Sequence, residues 1–185
     1  MNSTLETYLT KLQNWAPEHY LLQYLRYVLI HKILVFHYMM IFKCSVYQAV
    51  MHDWSKFKIS NFFNYAKYYY RIPESNIWDQ NLTRVLLDQS WHNHFSTEKH
   101  HFEHYVIPPH ANEEPTAIPM PHKYILEMMA DFCAVTHANE GPDEVFEKTY
   151  KWFLENIDPT YVCRTSYIAM KSFFETYVKI EKGTK

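Results

Sequence analysis

Two glycines in a chain of 185 residues, Gly141 and Gly183, rule out more folds than any other feature of this sequence. Tight hairpin turns depend on residues that accept positive φ, glycine above all. A hairpin-rich β architecture is therefore not expected. Glycine-rich phosphate loops and dinucleotide fingerprints are excluded by the same shortage.

What the chain does show is helical spacing. A short leading helix is expected over Leu5 to Leu12. Asn14 has the character of an N-cap, with Pro17 in the first turn and Glu18 favouring the helix N-terminus. From there a long helix is expected to about Met40, with Leu21, Leu25, Val28, Leu29, Val35 and Phe36 at helical intervals and Lys32 as the interruption. His31 lies close to the apolar face of that helix. Ser45 is placed to cap a helix from Val46 to about Phe57, which would contain His52 and Asp53. Ser60 is placed to cap another through Arg71, with Pro73 just past its end. Ile77 to Gln89 is expected to be helical, and Glu98 to Tyr105 a helix start or an irregular turn. Pro108 and Pro109 end that run, and His110 to Pro121 is expected to be a loop. Pro121 opens a strong helix to Gly141. Pro142 starts one to Asn156, and Asp158-Pro159 a last one to Ile180. The expectation is all-α: one compact helical bundle of about seven helices, a single metal-binding domain over residues 1–185, with no convincing strand.

Sixteen tyrosines and twelve phenylalanines predict a thick core with many hydroxyls to satisfy. A net charge of -2 argues against duplex nucleic acid as a partner, because such binders carry a basic footprint. Cys44, Cys133 and Cys163 form no CxxC, so they are expected to be buried thiols in a reducing compartment, the cytoplasm (of a host cell if the chain is viral). The N-terminus has no signal-peptide pattern. Tyr20 to Phe42 carries Arg26, His31, Lys32 and His37, so no uncharged run approaches the roughly 20 residues of a membrane span. Nothing in the sequence excludes a homo-oligomer.

The chemistry concentrates in histidine. Five of the twelve lie between Trp91 and Tyr105: His92, His94, His100, His101 and His104. Imidazole is costly to bury unpaired and is the commonest neutral metal ligand. Together with His31, the His52-Asp53 doublet and Asp131, these are the ligand types of a nitrogen and oxygen metal centre holding one or two divalent ions. Without thiolates the set suits manganese, iron, zinc, nickel or cobalt, with magnesium less favoured. Glu127 and Asp131 share a helix face one turn apart. His92 is expected to point to solvent, and His19, His110, His122 and His137 to lie at the surface. His37 is about 240° round the helix from His31 and cannot face the same site. The letters His92-Asn93-His94 match an HNH nuclease motif only literally, since that motif needs a hairpin. The Tyr65 to Tyr70 aromatics are assigned to the core rather than to a base-stacking platform.

The order His, His-Asp, histidine group, Asp, all on helices, resembles the HD-domain superfamily of metal-dependent phosphohydrolases. The motifs MHDWSKF, NYAKYYY, W-x2-H-x5-HH and MPHKYILEMMADF resemble, more closely, an uncharacterised family of small bacterial and viral proteins, over about residues 31 to 132. Here Phe132 stands where that family has tryptophan, and Glu98-Lys99 replaces an Asn-Pro step. The superfamily resemblance implies an HD-like helical fold in which His31, His52, Asp53 and Asp131 hold a first metal. It leaves His94 and His101, with His100 or His104, for a second metal or for substrate. Lys56 would neutralise a phosphate oxygen or pair with Asp53. Glu127 would orient a ligating histidine. The implied reaction is hydrolysis of a phosphate ester, a nucleotide or another small phosphorylated metabolite. Two alternatives use the same ligands: a di-iron oxygenase, and a non-catalytic metal-binding or interaction module.

Overall fold

The computed structural model describes residues 3–71, 77–109 and 114–183. Pro73 and His110, each assigned a place from the sequence, lie outside the described residues. The fold is all-α. Eight α-helices and one two-residue ribbon are present among the described residues. None of these helices is long and apolar enough to cross a membrane.

The chain divides into two compact units, Met1–Ile33 with Met51–Glu98, and Leu34–Val50 with Lys99–Lys185. The first contains α1 (Ser3–Asn14), the first part of α2 (Tyr20–Ile41), a 3₁₀ turn (Trp54–Phe57), α4 (Ile59–Tyr70) and α5 (Ile77–Thr97). Its core is Tyr24 and Val28 of α2, Tyr65 and Ala66 of α4, and Leu87 of α5. Burying aromatic and aliphatic area of this kind drives the helices together.

The second unit contains the rest of α2, α3 (Val46–Met51) up to Val50, and a 3₁₀ turn (Phe102–Tyr105). It continues with β1 (Val106–Ile107), β2 (Thr116–Ala117), α6 (His122–Glu140), α7 (Val145–Asn156) and α8 (Arg164–Gly183). β1 and β2 pair antiparallel, Val106 opposite Ala117. Phe42, Phe146, Phe173 and Tyr177 form an aromatic cluster there, with Phe42 edge-on to Phe173 at 4.8 Å.

Several local expectations are corrected. Asn14 ends α1 and does not cap α2, which begins at Tyr20. The Arg26 guanidinium donates to the carbonyls of Gln13 (3.3 Å) and Trp15 (2.7 Å) at the end of α1, where helix carbonyls need partners. The helix expected from Val46 to Phe57 is interrupted after Met51. Ser45 does cap its start, with Oγ accepting from the Gln48 amide at 3.4 Å. Lys58, not Ser60, stands at the N-cap of α4. Asp158 starts no helix: its carboxylate accepts from the Thr160 amide at 2.8 Å and closes a turn, and α8 begins at Arg164. α7 begins at Val145, after Glu144 in the left-handed region, rather than at Pro142. Gly141, at φ 84, ends α6 where only glycine is unstrained. Of the three thiols only Cys133 is fully buried; Cys44 and Cys163 are half-buried.

Candidate metal centre

In the first unit the ligand types converge on one carboxylate. α2 supplies His31, one turn beyond Tyr27, and buries it to 2% exposure. Had the helix from Val46 continued, His52 and Asp53 would point about 100° apart. Instead the chain turns, and Asp53 sits at φ 55, ψ 27, in the left-handed region. Aspartate is among the few residues that accept this conformation, and such strain concentrates at functional sites. α5 supplies His94, 1% exposed, one turn beyond Trp91.

Asp53 Oδ2 lies 3.1 Å from His31 Nε2 and 3.4 Å from His52 Nε2, and Asp53 Oδ1 lies 3.3 Å from His94 Nε2. Ligand atoms of His31, His52 and Asp53 fall within 4.8 Å of one another. Two donors that each stand about 2.1 Å from an ion are roughly 3.0 Å apart at octahedral angles and 3.4 Å at tetrahedral ones. The observed separations match that range. Two imidazoles and a carboxylate, those of His31, His52 and Asp53, are donors for a divalent first-row ion, while His94 stands at the other oxygen of Asp53. A buried His/Asp cluster able to hold a metal ion is thus present.

The surrounding contacts account for the motif residue by residue. The Lys56 ammonium pairs with Asp53 Oδ2. Ser55 Oγ shares a 2.6 Å hydrogen bond with His94 Nδ1, which fixes the ring and leaves Nε2 facing Asp53. The Ser55 amide donates to Glu98 Oε1 at 2.9 Å, and Asn61 Nδ2 donates to the Ser55 carbonyl at 3.1 Å. Lys32, the polar interruption of α2, donates to the His52 carbonyl at 2.6 Å and lies over the rings of Trp54 and Phe57.

The second unit holds another group. α6 places Glu127 and Asp131 one turn apart, as expected. Glu127 Oε1 lies 3.5 Å from His100 Nδ1, and Asp131 Oδ2 lies 4.0 Å from His100 Nε2. Glu127 Oε2 accepts from Gln48 Nε2 at 2.5 Å. His101 Nδ1 is 4.0 Å from Glu103 Oε2, and its ring lies 4.3 Å from that of His100. His104 packs edge-on to Tyr105 at 5.1 Å and stands outside both groups. The one-turn pairing of His100 with His104 does not form, because only a 3₁₀ turn from Phe102 is present there. His92 and Asn93 are exposed on α5. His19 and His122 are exposed as expected. His137 is not: it is 6% exposed and shares a 2.9 Å hydrogen bond with the Tyr38 hydroxyl.

A cavity of about 280 Å³ opens in the first unit beside Lys56, walled by Tyr24, Tyr27, Tyr65, Tyr69 and Trp91 among others. Two walls rest on ligand imidazoles. The Tyr27 ring stacks on His31 at 6.1 Å, and the Trp91 ring lies 5.7 Å from His94.

The model of a family of unknown function, DUF5662, matches residues 21–170. The chain belongs to that family. No curated protein and no solved structure matches it. The DUF5662 match contains both ligand groups and every residue named on the cavity wall.

Four contributors to this DUF5662 site went unassigned in the sequence: Ser55, Glu98, Tyr27 and Trp91. A signal existed for two of them. Tyr27 precedes His31, and Trp91 precedes His94, at one-turn spacing on helices whose stripe was already fixed by a candidate ligand. The Tyr65 to Tyr70 aromatics divide: Tyr65 is core, while Tyr69 is 57% exposed and walls the cavity.

Proposed function

We propose that this DUF5662 chain is a metal-dependent hydrolase of a small phosphate ester. The observation that supports it best is the set of three imidazole Nε2 atoms within 3.4 Å of one buried carboxylate, Asp53. The order His31, His52-Asp53, Asp131 adds the resemblance to HD-domain phosphohydrolases. In that order Asp131 is the trailing ligand.

A divalent ion held by His31, His52 and Asp53 would supply Lewis acidity and a bound water of lowered pKa. The nitrogen-rich donors favour manganese, iron, zinc, nickel or cobalt over magnesium. The chain's own groups divide the remaining work. Ser55 fixes the His94 ring, and Lys32 anchors the backbone of His52. Lys56 carries positive charge at the edge of the cavity, where a phosphoryl oxygen needs it. Glu127, 3.5 Å from His100 Nδ1, orients that ring. The three free thiols suit a reducing cytoplasm.

The test is elemental analysis of the purified protein followed by a panel of phosphate esters with each divalent ion. Bound metal and a turnover that disappears in His52→Ala are the expected results. Absence of turnover with every ion, or a His52→Ala protein with unchanged turnover, overturns the reading. Bound iron with an oxygen-dependent optical change would make the chain an oxygenase. Tight metal binding that raises the melting temperature without turnover would make it a non-catalytic module.

A further inference from the structure

We infer that the tyrosine-walled cavity of the first unit is a binding site for a small planar ring that carries an oxyanion group. The inference rests on the phosphohydrolase reading and deepens it by naming a substrate class.

Tyr24 is 2% exposed and Tyr65 6%, and the hydroxyl of each has no hydrogen-bond partner among the described residues. Buried polar atoms in a finished core are almost always paired. Two orphaned phenols on one cavity are the mark of a site that is completed by something else. Burial holds both phenols above their ordinary pKa of 10.0, with the charges of Lys56 and Asp53 acting in opposite directions, so at neutral pH each is an O–H donor. The cavity also meets the Lys56 ammonium, donor only, which pairs with Asp53. Among the described residues no carboxylate walls the cavity. Phenol and ammonium donors on one wall select a group with several acceptor oxygens.

The rest of the wall is aromatic, and aromatic faces and edges accommodate a flat ring by offset or edge-on packing. Size limits the choice. A volume of about 280 Å³ falls just under the roughly 300–1,000 Å³ of pockets that enclose drug-sized ligands. The occupant is therefore a compact molecule built around one small ring system. An aryl phosphate and an aryl carboxylate share this chemistry, and the experiment separates them.

Isothermal titration of the metal-free full-length chain with phenyl phosphate, benzoate, inorganic phosphate and glycerol phosphate tests the site without asking for turnover. Phenyl phosphate is expected to bind about tenfold or more tighter than glycerol phosphate, since only the first offers a ring. Tyr24→Phe and Tyr65→Phe are each expected to weaken it about tenfold, the effect of losing one hydrogen bond to a charged group. The same variants should melt no lower than the parent, because each removes an orphaned hydroxyl. Benzoate binding as tightly as phenyl phosphate would identify the ligand as a carboxylate of the same class. Equal affinity for glycerol phosphate, no binding of any probe, or unchanged affinity in both tyrosine variants overturns the inference. Ring-selective binding to a protein that hydrolyses no ester leaves this site standing and removes the phosphohydrolase reading.

Discussion

The two units treat their buried tyrosine hydroxyls differently. In the second, Tyr38 shares a hydrogen bond with His137 at 2.9 Å, and Ser166 Oγ accepts from the Met120 amide at 2.9 Å. Glu181 accepts from the amides of Phe146 (3.2 Å) and Glu147 (3.1 Å) at the start of α7. These are polar groups spent on holding the fold. In the first, Tyr24 and Tyr65 bury hydroxyls with no hydrogen-bond partner among the described residues. Natural chains keep such features where structure is compromised for function. The ligand groups follow the same division. Around Asp53 three imidazoles stand 3.1 to 3.4 Å away, while in the second unit the carboxylates of Glu127 and Asp131 stand 3.5 and 4.0 Å from His100.

The widest gap between the units should appear on neutralising one carboxylate in each. Asp53→Asn is expected to reduce bound metal to background and to destabilise the metal-free protein by about 3 kcal/mol or more, because it strips Lys56 of its buried partner. Asp131→Asn is expected to lower metal affinity by a smaller factor, since its side chain is 13% exposed where that of Asp53 is fully buried. Elemental analysis and denaturant unfolding of both variants give the answer. Equal loss of metal in the two would end the distinction drawn between the groups.

How much of this was legible beforehand depends on the range of the interaction involved. The helical class followed from glycine scarcity and apolar spacing, which are local. α6 could be delimited from Pro121 and Gly141 because capping chemistry is local as well. His31 was placed near the apolar face by its interval from Val28 and Val35. The interruption after Met51 was not visible. MHDWSKF has reasonable helix propensity, and what overrides it is the convergence of Asp53 with His31 and His94, which are remote in sequence. The Ser55 contact with His94 and the orphaned hydroxyls of Tyr24 and Tyr65 are tertiary facts for the same reason. His137 was misplaced because its partner, Tyr38, lies far away in the chain.

Contacts behind the ligands should show a smaller difference of the same sign. Ser55→Ala removes the hydroxyl that fixes His94 and is expected to weaken metal binding about 10- to 100-fold, the usual cost of losing a group that orients a ligand. Gln48→Ala removes the 2.5 Å contact to Glu127 and is expected to change affinity by less than about threefold, since Glu127 itself is behind His100. A competitive chelator titration measures both. A larger effect in Gln48→Ala would promote the second unit's group to the primary site.

The smallest expected effect concerns the tyrosines themselves, and it carries a pH signature. Removing an orphaned hydroxyl from Tyr24 or Tyr65 should raise the unfolding free energy by about 1 kcal/mol near neutral pH, whereas Tyr38→Phe should lower it by about the same amount. Burial raises the pKa of the Tyr24 and Tyr65 phenols above 10.0, so the folded state keeps both protonated where the unfolded chain releases its protons. The stability tied to their protonated form is complete below pH 10.0 and is lost as the pH rises above it. The double variant Tyr24→Phe/Tyr65→Phe should therefore lose less stability between neutral and strongly alkaline pH than the parent. Urea unfolding at a series of pH values compares the slopes. An identical alkaline slope in parent and double variant would mean that these two phenols ionise as easily in the folded chain as in the unfolded one, and the contrast between the units would then rest on the ligand groups alone.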